Sequence, residues 1–371
     1  MAELGEDVPG YRTIRMTALE APVAVLADVE AWQARDGYPD LVSGGGPVFG
    51  VAREQETGGW KLRRLFCNDT PQGARESMSA TFRRLAQAAE REGRSADHDE
   101  CMAAAVRLDW EKVDEMTVLG ARYRVVRAER FIRTGPDGPE PPRPSDPDPA
   151  GLGEGTEAPD PSKDLVIDPV TPTGMSEGIL KAELLALVRA EGTVPADVRD
   201  DSRVATRTYP GGVLLPATFM TAERTAGRWA PFSATDSTSP QAAREVLAVH
   251  LRVMAPIMHR LGPKERAVYT RAADRFEEER GSDLEVAGRH WRIVRVERLV
   301  RFGPDGPETP RPSDHDPELP ILEHDRILRE AGELSDEDED APIELNEAQE
   351  EMLRAFQYEQ ERRQQRRKRS S

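Results

Sequence analysis

The chain is poor in the residue types that compact reactive sites rely on. Only two cysteines, Cys67 and Cys101, occur in 371 residues, and they have no paired spacing. That excludes a disulfide framework and a cysteine zinc site, and it predicts a reducing cytoplasm. The six histidines, His98, His250, His259, His290, His315 and His324, show no HExxH or zinc-finger spacing. No run of about 18 apolar residues is present, and the acidic start MAELGEDVPGYR has no apolar core region, so neither a membrane span nor a signal peptide is expected. Positive charge is also short. Against 68 Asp and Glu stand 51 Lys and Arg, a net charge of -17 whose mean field repels phosphate and opposes general affinity for nucleic acid or anionic membrane.

What the chain does have is a repeat. Residues 120–149, GARYRVVRAERFIRTGPDGPEPPRPSDPDP, match residues 288–317, GRHWRIVRVERLVRFGPDGPETPRPSDHDP, at twenty of thirty positions under a shift of 168. TPQGARE at 70–76 and SPQAARE at 239–245 correspond at a shift of 169, as do Trp60 and Trp229. Two domains are therefore expected.

Along the chain, YRTIRMT at 11–17 alternates like a short strand, and a helix starting at Pro22 ends near Gly37. VFGVARE at 48–54 and WKLRRLF at 60–66 read as a hairpin. Thr70-Pro71 marks an N-cap and first helical position, and Ala74, Met78, Phe82, Leu85 and Ala89 trace one face of the helix that follows. A second helix over about 97–112 puts Cys101, Ala105 and Leu108 on one stripe, as core rather than reactive groups. Tyr269, Ala273 and Phe276 take their places in the second copy, where Pro256 should kink the preceding helix. Two strands around Gly120 complete the unit.

Residues 135–174 are dominated by Pro, Gly, Asp and Glu and read as a mobile linker. Ten carboxylates without a Lys or Arg fill 333–351, and a helix over 343–368 ends in six basic residues from Arg362 to Arg369. This order of motifs resembles an actinobacterial, streptomycete-type family of unknown function. Some of its members carry a PE-PGRS label, although glycine-rich repeats are absent here. The resemblance implies architecture and no activity, cofactor or catalytic residue.

No motif identifies a reaction. GLGEG at 151–155 has no strand before it and no GK[ST] after it, so it reads as linker rather than phosphate loop. Asp146 with Asp148, and Asp314 with Asp316, give two carboxylates each, too few for a calcium or magnesium cage, and beside proline they read as turn residues. His250 lies on an apolar helix face as a packing histidine, and no Ser-His-Asp set assembles from spacing. No catalytic, metal or cofactor residue is assigned.

The duplicated strand carries the best candidates. At period two, Tyr123, Val125, Arg127, Glu129 and Phe131 share one face, as do Trp291, Ile293, Arg295, Glu297 and Leu299. An Arg and a Glu among large apolar groups read either as an ion pair or as a polar site in an apolar groove, where the guanidinium grips a carboxylate or phosphate. Trp60 and Trp229 belong to the core or line such a groove. The candidate binding residues are thus Arg127, Glu129, Arg295, Glu297, Trp60 and Trp229.

The expected fold is α+β: two tandem ββααββ units, each an antiparallel sheet with a helical pair. The first unit spans 1–134, the linker 135–174, the second unit 175–320, and the acidic segment with its charged helix 321–371. The leading functional expectation is a non-enzymatic binding or scaffold protein with a protein or peptide partner. The alternatives are an enzyme with its site in a groove between the units, and a nucleic-acid-associated factor acting through its basic tail.

Overall fold

A computed structural model describes residues 9–63, 66–149, 160–188, 192–232, 236–334 and 345–370. In chain order the elements are α1 (Pro22–Gly37), β1 (Asp40–Ser43), β2 (Val48–Glu54), β3 (Trp60–Leu62), α2 (Pro71–Arg91), α3 (Ser95–Trp110), β4 (Glu115–Val118), β5 (Ala121–Gly135), β6 (Gly138–Pro139) and β7 (Val166–Ile167). There follow α4 (Met175–Ala186), α5 (Ala196–Thr208), β8 (Gly211–Thr225), β9 (Arg228–Pro231), α6 (Pro240–Val249), α7 (Ala255–Met258), α8 (Pro263–Glu279), β10 (Asp283–Val286), β11 (Arg289–Gly303), β12 (Gly306–Pro307), α9 (Ile321–Ala331) and α10 (Glu347–Ser370).

The helix starts follow from capping. The Thr70 hydroxyl accepts the Gly73 N–H at 3.2 Å and the Ser239 hydroxyl accepts the Ala242 N–H at 3.1 Å, each with proline at the first helical position, where its missing N–H costs nothing. α2 and α3 bury Met78, Phe82, Cys101, Ala105 and Leu108 against Phe49, Tyr123 and Val125. α6, the turn that follows it and α8 bury Leu247, Leu251, Tyr269, Ala273 and Phe276 against Phe219, Trp291 and Ile293. Ahead of Pro256 the helix passes through a π turn at His250–Met254, which makes room for the ring that an unbroken α-helix would drive into a carbonyl.

The fold is mixed α+β, but the two expected sheets are one. Among the described residues, twelve strands form a single curled antiparallel sheet with path β7-β3-β2-β5-β11-β8-β9. The similar long strands β5 and β11 join it at the centre, with Glu297 opposite Phe131, Arg298 opposite Arg130 and Leu299 opposite Glu129. Each is buried on both faces, because helices cover one side while Val48, Trp60, Val126, Ile167, Val300 and Phe302 pack on the other.

Arg130 and Arg298, opposite one another, each satisfy a carbonyl where pairing is irregular, Arg130 in the loop between β1 and β2 and Arg298 within β8. Arg130 donates to Gly46 O at 2.8 Å and Arg298 to Pro216 O at 2.8 Å. Arg130 also pairs with buried Asp236 at 3.0 Å. Burial disfavours the charge on Arg298 and holds its pKa below the ordinary value, although the Phe66 carbonyl also accepts from it at 3.0 Å.

Several local expectations are corrected. Residues 11–17 make no strand. A 3-10 turn at Gly10–Arg12 and one bridge, Met16 to Thr173, take its place, since no neighbouring strand offers a longer ladder. The strand expected over 60–66 is regular only to Leu62. Residues 135–149 do not behave as linker: β6 pairs with the end of β5, and Glu140 is only 2% exposed. Residues 160–174 contribute β7. The GLGEG and DEDED segments lie outside the described residues.

The turns that lead into the two proline-rich arms are tightly packed. A Cβ at Gly306, where φ is +113°, would sit 2.8 Å from Trp60 Nε1, and one at Gly138, where φ is +107°, would collide with Trp229. Gly306→Ala and Gly138→Ala are each predicted to destabilise the chain by roughly 1–3 kcal/mol, from both backbone strain and overlap with the indole. Thermal denaturation should show both lowered; an unchanged melting temperature for either would contradict the packing.

Candidate functional site

Arg127 and Glu129 on β5, and Arg295 and Glu297 on β11, lie on the helix-covered face, as their period-two spacing requires. Each pair is completed by the proline-rich arm that follows the other strand. Arg127 Nε reaches both Asp314 oxygens, at 3.0 and 2.9 Å, and its Nη1 donates to Glu129 at 3.0 Å. Arg311 bridges Glu129 at 2.7 Å and Glu308 at 2.6 Å. In the second cluster Arg295 donates to Asp146 at 3.1 Å and to Glu297, while Arg143 bridges Glu140 at 2.6 Å and Glu297 at 3.4 Å.

The exchange extends to the backbone and the helices. Arg127 N–H donates to Glu308 O and Arg295 N–H to Glu140 O, both at 2.9 Å. Asp316 takes the Gln72 N–H at the start of α2 (3.0 Å), with Arg75 at 2.7 Å and Lys112 at 3.0 Å. Asp148 takes Arg244 at 3.0 Å and Arg280 at 2.8 Å. The four aspartates beside proline are therefore ion-pair partners. Among the described residues no group of three or more His, Cys, Asp or Glu is placed to hold a metal ion.

Burial by itself would push the Glu297 carboxyl up. Arg295, then Arg143 and Arg133, outweigh it and hold the group below its ordinary range. Glu140 goes the other way, because its desolvation exceeds the pull of Arg143. His250 is pushed down to about 4 by burial and by Arg289; its ring stands edge-on to Phe232, and its Nε2 has no partner among the described residues. It is a neutral, half-buried packing group.

The two clusters differ in how they are closed. Over the first, Arg301 donates to the carbonyls of Leu184 and Leu185, at 3.3 and 3.2 Å, where α4 ends. Over the second, the corresponding residue is Arg133. It is only 3% exposed, its Nη2 reaches Glu183 at 3.2 Å, and its Nη1 has no acceptor among the described residues. Arg133, Arg143, Arg295 and Glu297 line a cavity of about 460 Å³ whose other walls include Leu19, Leu180, Leu214 and Leu215. Asp28, also at this cavity, is held by the Ser176 N–H at the start of α4 (2.9 Å). Glu177 lines it as well, its carboxyl raised by burial.

Of the candidate residues, Arg295 and Glu297 line this cavity, while Arg127 and Glu129 sit in the closed cluster. Neither tryptophan reaches it. Trp60 is buried, with the Arg124 guanidinium 4.9 Å from its ring centre. Trp229 is half-buried beneath Arg292, 5.1 Å away, and lines a separate groove. Arg133 was not singled out from sequence, although it continues the alternation through Arg127, Glu129 and Phe131 by one more step. Among the described residues no helix is long and apolar enough to cross a membrane.

Residues 21–317 match DUF5954, a family of unknown function, and the chain belongs to that family. No curated protein and no solved structure matches it.

If the crossed ion pairs hold the arms, Arg127→Ala and Asp314→Ala should each cost about 3–5 kcal/mol, since each strands a buried charge. The double variant should cost clearly less than their sum. Urea denaturation of all four chains measures this; additive losses below about 1 kcal/mol each would show that the pair carries little.

Proposed function

We propose that this chain is a non-enzymatic binding protein whose ligand is a small aliphatic carboxylate held in the cavity beside Arg133. The observation that carries the reading is Arg133, whose buried Nη1 has no acceptor among the described residues and whose side chain lines a cavity walled by leucines and alanines together with Arg143, Arg295, Asp28, Glu177 and Glu297. An unpaired buried donor is costly, and a ligand carboxylate would remove that cost through a charge-assisted hydrogen bond. The volume of about 460 Å³ falls within the usual range for small-ligand sites. Catalysis is less well supported: Arg295 and Glu297 hold one another ionised, and the Ser176 hydroxyl is committed to the Asp28 carbonyl at 2.8 Å rather than to a base.

The architecture also supports a duplicated origin. Arg127, Glu129, Arg133, Glu140, Arg143 and Asp146 recur at a constant shift as Arg295, Glu297, Arg301, Glu308, Arg311 and Asp314. In this reading two copies of one ββααββ unit exchanged their arms, and divergence then closed one cluster and left a cavity in the other.

Isothermal titration with straight-chain carboxylates from acetate to decanoate tests the reading. Saturable binding that peaks at an intermediate length is predicted, with the matching alcohols inert. Arg133→Gln should weaken binding roughly 10- to 100-fold, the loss of one charge-assisted hydrogen bond. Leu180→Trp should block the cavity without removing a charge. Failure of the whole series to bind the native chain would refute the proposal.

A further inference from the structure

The two ends of the sheet are finished differently. On the first, β7 pairs antiparallel with β3, setting Ile167 opposite Trp60 and Val166 opposite Lys61. Leu62 N–H donates to Leu165 O at 2.8 Å, Asp164 N–H to Leu62 O at 3.1 Å, and Lys61 pairs with Asp164 at 3.1 Å. Ile167 is buried in the cluster that holds Trp60, Val300 and Phe302. On the second end the sheet stops at β9, and among the described residues no strand covers that edge.

At the shifts relating the similar stretches, Trp229 stands for Trp60, Ile132 for Val300, Thr134 for Phe302 and Pro231 for Leu62. These four residues, with Ala222 and the turn at Gly135–Pro139, line a groove of about 630 Å³. By this correspondence in sequence the groove stands where Ile167 and the Phe302 ring pack on Trp60 at the other end. Thr134 is too small to fill it, and no counterpart of β7 is present among the described residues.

We propose that β9 and this groove bind an extended peptide that adds to the sheet antiparallel to β9, seats a branched aliphatic side chain on Trp229 and carries acidic residues on either side. The backbone is arranged for it. Phe232 N–H donates to Thr221 O at 2.8 Å, so by antiparallel alternation Trp229 and Pro231 turn their backbone groups to the open edge. The rim supplies the charge: Arg224 and Arg228 line the groove, are exposed, and have no acceptor among the described residues. Acidic flanks match them, as Asp164 and Asp168 flank Leu165–Ile167 at the occupied end.

Pro231 sets the limit. It lacks the N–H that Leu62 donates, so an added strand keeps the Trp229 pair and the Pro231 carbonyl and forgoes one bond. That blunts the edge against indiscriminate pairing and leaves the side-chain pocket and the arginines to select the partner. The inference rests on the comparison of the two edges and is independent of the carboxylate cavity.

The test uses the full-length chain and a fluorescein-labelled peptide of sequence KDLVIDP, residues 163–169 of the chain itself, followed by anisotropy. Saturable binding is expected at micromolar concentration, weakened at least tenfold when both peptide aspartates are lysine and weakened likewise by Arg228→Glu. Thr134→Phe, which copies Phe302, should abolish it; should Thr134→Phe not fold, loss of binding by a folded Trp229→Ala is the outcome expected in its place, and binding unchanged in that variant would overturn the proposal. Absence of binding would overturn the proposal. So would equal binding to Thr134→Phe, which would mean that the peptide displaces β7 instead. Self-association of the native chain that is lost in Thr134→Phe, seen by sedimentation, would assign the edge to a second copy and equally overturn it.

Discussion

The structure depends on buried guanidinium groups that each share one carboxylate on their own strand and a second on the arm from the other half of the sheet. Arg127 and Arg295 sit in the middle of a sheet covered on both faces, where an uncompensated charge is prohibitively costly. Glu129 and Glu297 neutralise them from their own strands, and the further carboxylates, Asp314 with Glu308 and Asp146 with Glu140, arrive on arms from the opposite half. The tight glycine turns against Trp60 and Trp229 aim those arms, and the pairing of β5 with β11 sets how far each must reach. A buried ionic network adds less to stability than an apolar core of equal volume would. What it enforces here is arrangement, because any other register of β5 on β11 separates charges that only this register joins.

Much of this was legible in the sequence, and where it was not the physical reasons are specific. Capping and periodicity located α2, α3 and their later counterparts, since Thr70, Ser239 and the apolar stripes act locally. The odd placement of Arg and Glu at alternate positions of a strand was visible too. Its meaning was not, because the partners on the arms lie 149 and 187 residues away and composition alone makes PEPPRPSDPDP look like a linker. α4 and α5 went unread: their N-cap residues, Gly174 and Pro195, offer no side-chain cap, and the α4 start is capped instead by Asp28, 148 residues away. Arg133 was not singled out because what distinguishes it from Arg301 is where α4 ends, which the sequence does not show.

The two halves match closely in the parts that hold the fold and diverge in the parts that face space. α4 ends over Arg301 and supplies carbonyls to both its Nη groups, while Nη1 of the equivalent Arg133 has no acceptor among the described residues and the residue lines a cavity. β7 finishes one edge of the sheet, and the other ends in Trp229 and Pro231. A scaffold whose stability comes from its matched centre tolerates such divergence at its periphery, and it is there that both candidate sites lie.

Differential scanning calorimetry of the native chain, compared with Asp146→Ala and Asp314→Ala, tests most directly the claim that the exchanged arms bind the two halves into one structure. A single transition is predicted, with calorimetric and van't Hoff enthalpies equal, and either substitution should lower it as a whole even though each removes a contact to only one half. Two transitions in the native chain, each shifted by only one of the substitutions, would contradict the account.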